Sequence, residues 1–154
     1  MKMTPGRLRF LLNIYPPYLG AGIRVEAISA DWRRSRVSLT RRWYNRNAVG
    51  THFGGSLYAM IDPHLMLMMM RLLGPEYVVW DKGAEIEFVK ATRRQVTSVL
   101  EISAADLDAV RRHTADGEKF LPQFPVEIRD EDGETVARVV KTLYVRRKIP
   151  RPAP

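Results

Sequence analysis

Apolar residues fall at every second position through Ile23, Val25 and Ala27 to Ser29, and again at Val37 and Leu39, with a polar turn around Asp31 to Arg34 between them. Alternation with a period of two predicts two strands of a hairpin, each with one buried face. Ahead of them, residues 6–14 set Leu8, Leu11 and Leu12 on one side of a short helix. Pro16 and Pro17 end it, because proline offers no N–H to the preceding turn. From Trp43 to Gly55 the pattern dissolves into Asn, Gly, Thr and His, which predicts a loop.

The stretch from Leu57 to Leu73 is apolar nearly all the way round, interrupted only by Asp62, Pro63, His64 and Arg71 and closed by Gly74-Pro75. A helix without a polar face has to be covered on every side, so this segment predicts one long central helix. It is no membrane span, since Asp62 and Arg71 lie inside it and the unbroken apolar run is only Leu65 to Met70. Tyr77 to Val89 and Gln95 to Ser103 then predict strands, the first apolar at its start and alternating later through Ala84, Ile86 and Phe88. Leu107 and Val110, three apart, predict a short helix over residues 104–114. Pro125 to Asp130 and Glu134 to Arg146 alternate through Val126, Ile128, Val136, Val139, Leu143 and Val145 around a turn rich in Asp and Gly, the clearest hairpin of the chain. The order specifies an α+β architecture, an antiparallel sheet of five or six strands wrapped around one long central helix. A sheet that covers a single helix leaves its outer face or an edge strand bare, so a homo-oligomer, dimer or tetramer, is expected.

At 154 residues, the chain has room for one core. The expected organisation is a single domain over residues 1–146, with an insertion at about 104–124 and a flexible tail over 147–154. The absence of cysteine removes disulfides, thiol nucleophiles and thiolate metal sites. His52, His64 and His113 have no metal-ligand spacing, Ser56 lacks the elbow of a serine hydrolase, and no phosphate-loop or dinucleotide fingerprint is present. No metal or resident cofactor is therefore expected. The opening apolar run is too short and too polar for a signal peptide or a span, which by elimination points to the cytoplasm and away from the membrane. A net charge of +8 favours anionic partners, but the basic residues are scattered rather than gathered into one nucleic-acid surface.

One segment carries a specific resemblance. Asn47 is followed six positions later by Phe53-Gly54-Gly55, then by Ser56-Leu57, and Asp62 stands seven positions past the second glycine. This spacing resembles the active-site loop and helix of acyl-CoA thioesterases of the phenylacetate-pathway type, which have the hotdog fold. Ile86-Glu87-Phe88-Val89-Lys90 is similar to the strand that follows the helix there. Gly54-Gly55-Ser56-Leu57 together with Val79-Trp80-Asp81-Lys82 resembles more closely a thioesterase-like group, DUF4442-like, that carries F-G-G-S-L and a later V-W-D-K. The resemblance covers most of the chain outside residues 104–124.

It implies a hotdog domain that cleaves a coenzyme A thioester to free acid and coenzyme A, with the thioester as substrate. It also implies that the acid at Asp62, supplied by a partner copy, attacks the thioester or activates water. The amides of Gly54 and Gly55 at the helix start would polarise the carbonyl, with Asn47 in support. His52, Phe53 and Ser56 would border the substrate, and Lys90, Arg93 and Arg94 would hold the coenzyme A phosphates. The alternative function is an acyl or acyl-CoA binding protein without turnover. A local alternative exists for Asp62 itself: aspartate followed by proline is also a helix start, with Asp62 as the cap. If the helix instead begins near Gly55, Pro63 sits inside it and kinks it next to the acid. His52 stands one position before the place where many relatives have histidine, and His64 points to a different face from Asp62.

Overall fold

A computed structural model describes residues 3–149. The opening helix α1 (Pro5–Ile14) starts at Thr4, whose hydroxyl accepts a hydrogen bond from the Arg7 amide, with Pro5 in the first turn where its missing N–H costs nothing. Pro16 and Pro17 do end α1, but they also open a second short helix, α2 (Pro16–Ala21), for the same reason. The predicted hairpin follows as β1 (Ile23–Ile28) and β2 (Arg34–Leu39).

The predicted central helix is not one rod. It is two short helices, α3 (Gly54–Ala59) and α4 (His64–Leu73), separated by a turn over residues 60–63. Proline has no N–H to give to the carbonyl of Ala59 and its ring crowds that carbonyl, so at Pro63 the helix stops and restarts instead of bending through. The turn is held by the amides of Ile61 and Asp62, both donating to the Tyr58 carbonyl. Asp62 is not the cap of α4: that position belongs to Pro63, and no side chain caps it.

The remaining elements are β3 (Tyr77–Phe88), β4 (Val96–Glu101), α5 (Ala104–His113), the two-residue β5 (Lys119–Phe120), β6 (Gln123–Asp130) and β7 (Thr135–Arg147). They complete a seven-stranded antiparallel sheet, one strand more than the upper expectation, in the order β1-β2-β4-β6-β7-β3 with β5 alongside β7. The expected insertion holds α5, started by a capping box between Ser103 and Asp106, and β5. Residues 150–154 of the expected tail lie outside the described residues.

The concave face of the sheet packs on α3 and α4. Val37, Leu39, Leu100, Ile128, Val139, Leu143 and Val145 from the strands meet Leu57, Met60, Ile61, Leu65, Met68 and Met69 in one buried cluster. The methionines at 60, 68 and 69 are therefore core filling, a use that suits their adaptable side chains. A bulge at Lys82 governs which residues of β3 look inward. Before it Val79 and Asp81 stand opposite Val145 and Leu143, and after it Ala84, Ile86 and Phe88 stand opposite Lys141, Val139 and Ala137. The inward positions thus shift from odd to even numbers across the bulge; alternation shows in the second half of the strand, while Tyr77 to Trp80 are apolar on both faces.

The two sheet edges differ. At β1, Asn13 of α1 brackets the backbone of Val25, donating to its carbonyl at 3.0 Å and accepting from its amide at 2.8 Å, so a side chain stands in for a missing strand. β3, twelve residues long, pairs only with β7 and leaves its other side free of any strand among the described residues.

Candidate functional site

The loop before α3 is organised by Asn47. Its side-chain oxygen accepts from the amides of Val49 and Thr51, and its side-chain nitrogen donates to Thr51 Oγ1 and the His52 carbonyl. The amide group of Asn47 is thus occupied within its own loop, and its observed task is to fix the approach to α3. His52 is buried and its Nε2 meets the Arg94 carbonyl at 2.7 Å. Burial pushes the imidazole below its usual range, reinforced by the nearby Arg41 and only partly offset by the Arg94 carbonyl. His52 is therefore neutral at pH 7, and its Nδ1 is buried with no partner.

At the start of α3 the first amides, those of Gly54 and Gly55, donate to no described group, as expected for the orphan N–H groups of a helix end. A side chain at either position would have to displace an exposed aromatic ring. A Cβ on Gly54 would stand 2.9 Å from the Phe88 ring, and one on Gly55 would stand 2.5 Å from the ring of Phe53, which is exposed. Ser56 is buried behind them.

A cleft of about 400 Å³ opens beside these residues, lined by Asn47, Thr51, His52, Gly54 and Lys90 on the polar side and by Leu57, Phe88, Val89 and Val136 on the apolar side. Four of the residues singled out from the sequence, Asn47, His52, Gly54 and Lys90, thus meet at one place. The expected phosphate-binding cations are mostly engaged already. Lys90 pairs with Asp130 at 3.5 Å and closely with Glu134, and Arg94 with Asp132 at 2.6 Å, all on the β6–β7 turn. Arg93 lies near Gly50 and has no acidic partner among the described residues.

Asp62 does not line this cleft. From the turn between α3 and α4 its side chain reaches a separate polar cluster beneath β3 and β7. Its Oδ1 accepts from Tyr58 Oη at 2.8 Å and from Lys141 Nζ at 2.7 Å, while Lys141 also donates to Tyr58 Oη at 2.9 Å and stands 3.0 Å from Asp81 Oδ1. The Lys141 side chain is 0% exposed and that of Asp62 46% exposed, so the cluster opens to solvent on the Asp62 side. Burial pushes the Asp62 carboxyl up, but the hydrogen bonds from Lys141 and Tyr58 outweigh it and hold the group below the ordinary carboxylate range. For Asp81 burial wins and the carboxyl is raised. Burial alone would discharge Lys141; its bonds to Asp62, Tyr58 and Asp81 keep it charged and above the usual lysine value.

Lys141 and Asp81 are the residues that sequence reasoning passed over. Lys141 occupies an inward position of β7, between Val139 and Leu143, in an alternation whose other members are apolar. A charge at a core position of a strand is the signal that could have found it. Asp81 belongs to the V-W-D-K stretch but turns inward only because the bulge falls at the next residue.

On the other side of the break, His64 is fully enclosed. Its Nε2 meets Tyr18 Oη and its Nδ1 meets Ser35 Oγ, both at 3.0 Å. Burial pushes its pKa down to about 4, so the ring is neutral. As expected, it does not share a face with Asp62. Among the described residues no group of three or more His, Asp or Glu is placed to hold a metal ion, and no helix is long and apolar enough to cross a membrane.

Solved structures with this architecture include a protein of unknown function from Pseudomonas aeruginosa, PA5026, which its name calls a probable thioesterase. It is 17% identical, with a TM-score of 0.78 over 94% of this chain and 97% of that one. The thioesterase HI1161 from Haemophilus influenzae is 14% identical, with a TM-score of 0.68 over 97% and 95%. AziG from S. sahachiroi is 21% identical, with a TM-score of 0.64 over 86% and 98%. At such identities the likeness speaks for the α+β hotdog fold. No curated protein matches the chain by sequence. Residues 7–145 match the family described as a domain of unknown function, DUF4442, and the chain belongs to that family.

Proposed function

We propose that this protein is an acyl-CoA thioesterase-like hydrolase, cleaving a coenzyme A thioester to free acid and coenzyme A, and that it works in the cytoplasm as a homo-oligomer. The observation that carries this reading is the cleft at the head of α3. There, the unbonded helix-start amide of Gly54, with that of Gly55 next to it in the chain, a fixed loop and an apolar wall of Leu57, Phe88 and Val136 meet in a space large enough for an acyl thioester. Thioesterase in the names of two structural neighbours supports it.

The chemistry needs a base, and within one chain Asp62 is not at the cleft. A second copy can supply it. β3 offers a free edge of twelve residues for pairing with another β3, and Asp81 places this strand directly beside the Asp62 cluster. In the assembled site the ionised Asp62 removes a proton from water, whose oxygen bonds to the thioester carbon. The negative charge that builds on the carbonyl oxygen is held by the Gly54 and Gly55 amides. The carbon–sulfur bond then breaks, and the departing thiolate takes the proton back from Asp62. Arg93, which has no acidic partner among the described residues, is the cation best placed to receive a coenzyme A phosphate, while Lys90 and Arg94 would first have to leave their carboxylates. Phe53, exposed beside Gly55, and His52 would border the acyl group, with Ser56 packed behind the turn.

One observation favours a second reading, that of an acyl or acyl-CoA binding protein without turnover. Asn47 has no free donor or acceptor of its amide left for a water or a carbonyl. Both readings meet the same experiment: release of free thiol from a panel of acyl-CoAs by the wild type and by Asp62→Asn. Hydrolysis predicts turnover that falls by about 100-fold or more in the variant. Equal release by both proteins removes Asp62 from the reaction, and tight binding with no release by either establishes the second reading.

A further inference from the structure

We infer that Lys141 is a positioning residue for Asp62: together with Tyr58 it grips Oδ1 and leaves Oδ2 as the oxygen that faces a reacting molecule. The inference rests on the proposed hydrolytic role of Asp62 and adds to it a residue that acts through the acid.

The geometry is specific. Lys141 donates hydrogen bonds to Asp62 Oδ1 at 2.7 Å and Tyr58 Oη at 2.9 Å, and Asp81 Oδ1 stands 3.0 Å away as an ion-pair partner outside hydrogen-bonding geometry. Tyr58 accepts from Lys141 and passes its own proton to the same Asp62 oxygen, so Oδ1 receives two hydrogen bonds. Oδ2 receives none from any described group, and the side chain is about half exposed. Two donors on one oxygen fix both the position and the rotation of the carboxylate. A freely rotating acid would present either oxygen; this one presents Oδ2.

The strand is built to admit the cation. Directly opposite Lys141 on β3 stands Ala84, with only a methyl group, and the bulge at Lys82 turns Asp81 inward beside it. A methionine or leucine at 141 would suit the neighbouring Val139 and Leu143 and would avoid the desolvation of an ammonium group. A fully buried lysine at a core position of the sheet therefore has to be explained by what it touches. Of its three partners, Asp62 is the one that opens widest to solvent, with Asp81 at 26% exposure.

Charge completes the argument. The groups facing Asp62 are Tyr58 from α3, His64 from α4, Tyr18 from α2, Asp81 from β3 and Lys141 from β7. The tyrosines are uncharged at neutral pH, with their hydroxyls raised by burial, and His64 is neutral as well. Among the described residues Lys141 is then the only cation facing two carboxylates. Without it the two acids repel each other, and one takes up a proton to relieve the repulsion. With it, Asp62 stays ionised as a base must.

The test is the pH profile of thiol release by Lys141→Met, beside a carboxyl-carbon NMR titration of Asp62 in the same protein. In the variant the acid limb of kcat/KM and the Asp62 titration are both expected to move up by about one pH unit or more. Turnover is expected to fall about tenfold or more with KM changed less than about threefold, as for lost orientation rather than lost binding. If Lys141→Met does not fold, Lys141→Met/Asp81→Asn removes one cation and one anion together and keeps the charge of the cluster; the loss of turnover is expected there too, with a smaller upward move that comes from the lost Lys141 hydrogen bond alone. A folded variant whose acid limb, kcat and Asp62 titration match the wild type overturns the inference. Wild-type protein without thiol release, or an Asp62→Asn variant as active as wild type, refutes instead the hydrolytic reading. The NMR titration then still decides whether Lys141 governs Asp62.

Discussion

Asp62 and His64 stand two residues apart at the same break between α3 and α4, and each enters a buried polar cluster, but the clusters are built to opposite ends. His64 is closed: both ring nitrogens have partners, Tyr18 and Ser35, and the ring is neutral. Asp62 is open: one oxygen is doubly bonded to a charged and a neutral donor, the other is bare, and the side chain reaches solvent. A buried polar group that is fully satisfied by neutral partners stabilises and specifies the fold. A charged group held at one atom and free at the next is a poor way to gain stability and a good way to keep a reactive atom in place.

The comparison is broken most severely by removing the histidine. His64→Ala leaves a cavity and strips partners from Tyr18 and Ser35, and is expected to cost about 4 kcal/mol of unfolding free energy in urea titration. Whatever fraction stays folded keeps its acid chemistry, because the Asp62 cluster has no hydrogen bond to His64. A variant that loses little stability would show that the closed cluster is not structural after all.

Acid sharpens the same contrast. The folded-state pKa of His64 is depressed to about 4 from an unfolded value of 6.5, so its neutral form contributes stability that is fully present above pH 6.5. That contribution is lost as pH falls from 6.5 towards 4, because the unfolded chain takes up the proton first. The loss amounts to about 3 kcal/mol over the window. Asp62, with its carboxyl held below the ordinary range, adds a decline that begins only at more acid pH, below its usual value of 3.8. Urea midpoints from pH 7 to pH 4 should therefore fall steeply in the wild type and clearly less in His64→Ala, where His52, also depressed by burial, still contributes a decline. A parallel fall in both proteins assigns the acid sensitivity elsewhere.

These contrasts also mark what could be read from the chain alone. Strand pairing was legible wherever alternation ran unbroken, as in β6 and β7, because side-chain parity is a local property. The loop from Asn47 to Gly55 was legible too, and three of its expected site residues, Asn47, His52 and Gly54, share a cleft with Lys90. Apolar content suggested one helix from 57 to 73, yet Pro63 settles the geometry through a single missing N–H and a clash with one carbonyl. Pro16 signals a stop in the sequence, yet it starts α2 as well. Lys141 was hidden because attention to the apolar members of β7 skips its one charged inward position, and because its partners lie 79 and 83 residues away. Asp81 depends on a bulge, and a bulge leaves no mark in composition.

The finest test compares two tyrosines that do the same job in the two clusters. Tyr18 is buried and bonds His64; Tyr58 is partly exposed and bonds Asp62. Removing the hydroxyl of Tyr18 leaves His64 Nε2 enclosed without a partner, so Tyr18→Phe is expected to cost about 1–2 kcal/mol, read from the urea midpoint, with no effect on the pH profile of thiol release. Tyr58→Phe removes one of two donors to Asp62, but Lys141 remains on that oxygen and water can reach the carboxylate, so stability should change by less than about 1 kcal/mol. Its signature should lie in the chemistry instead: the acid limb moves up slightly, in the direction of the larger move expected for Lys141→Met, because the carboxylate has lost a hydrogen bond that favours its charged form. Equal stability losses for the two tyrosines, with neither profile displaced, would mean that the open cluster is as structural as the closed one.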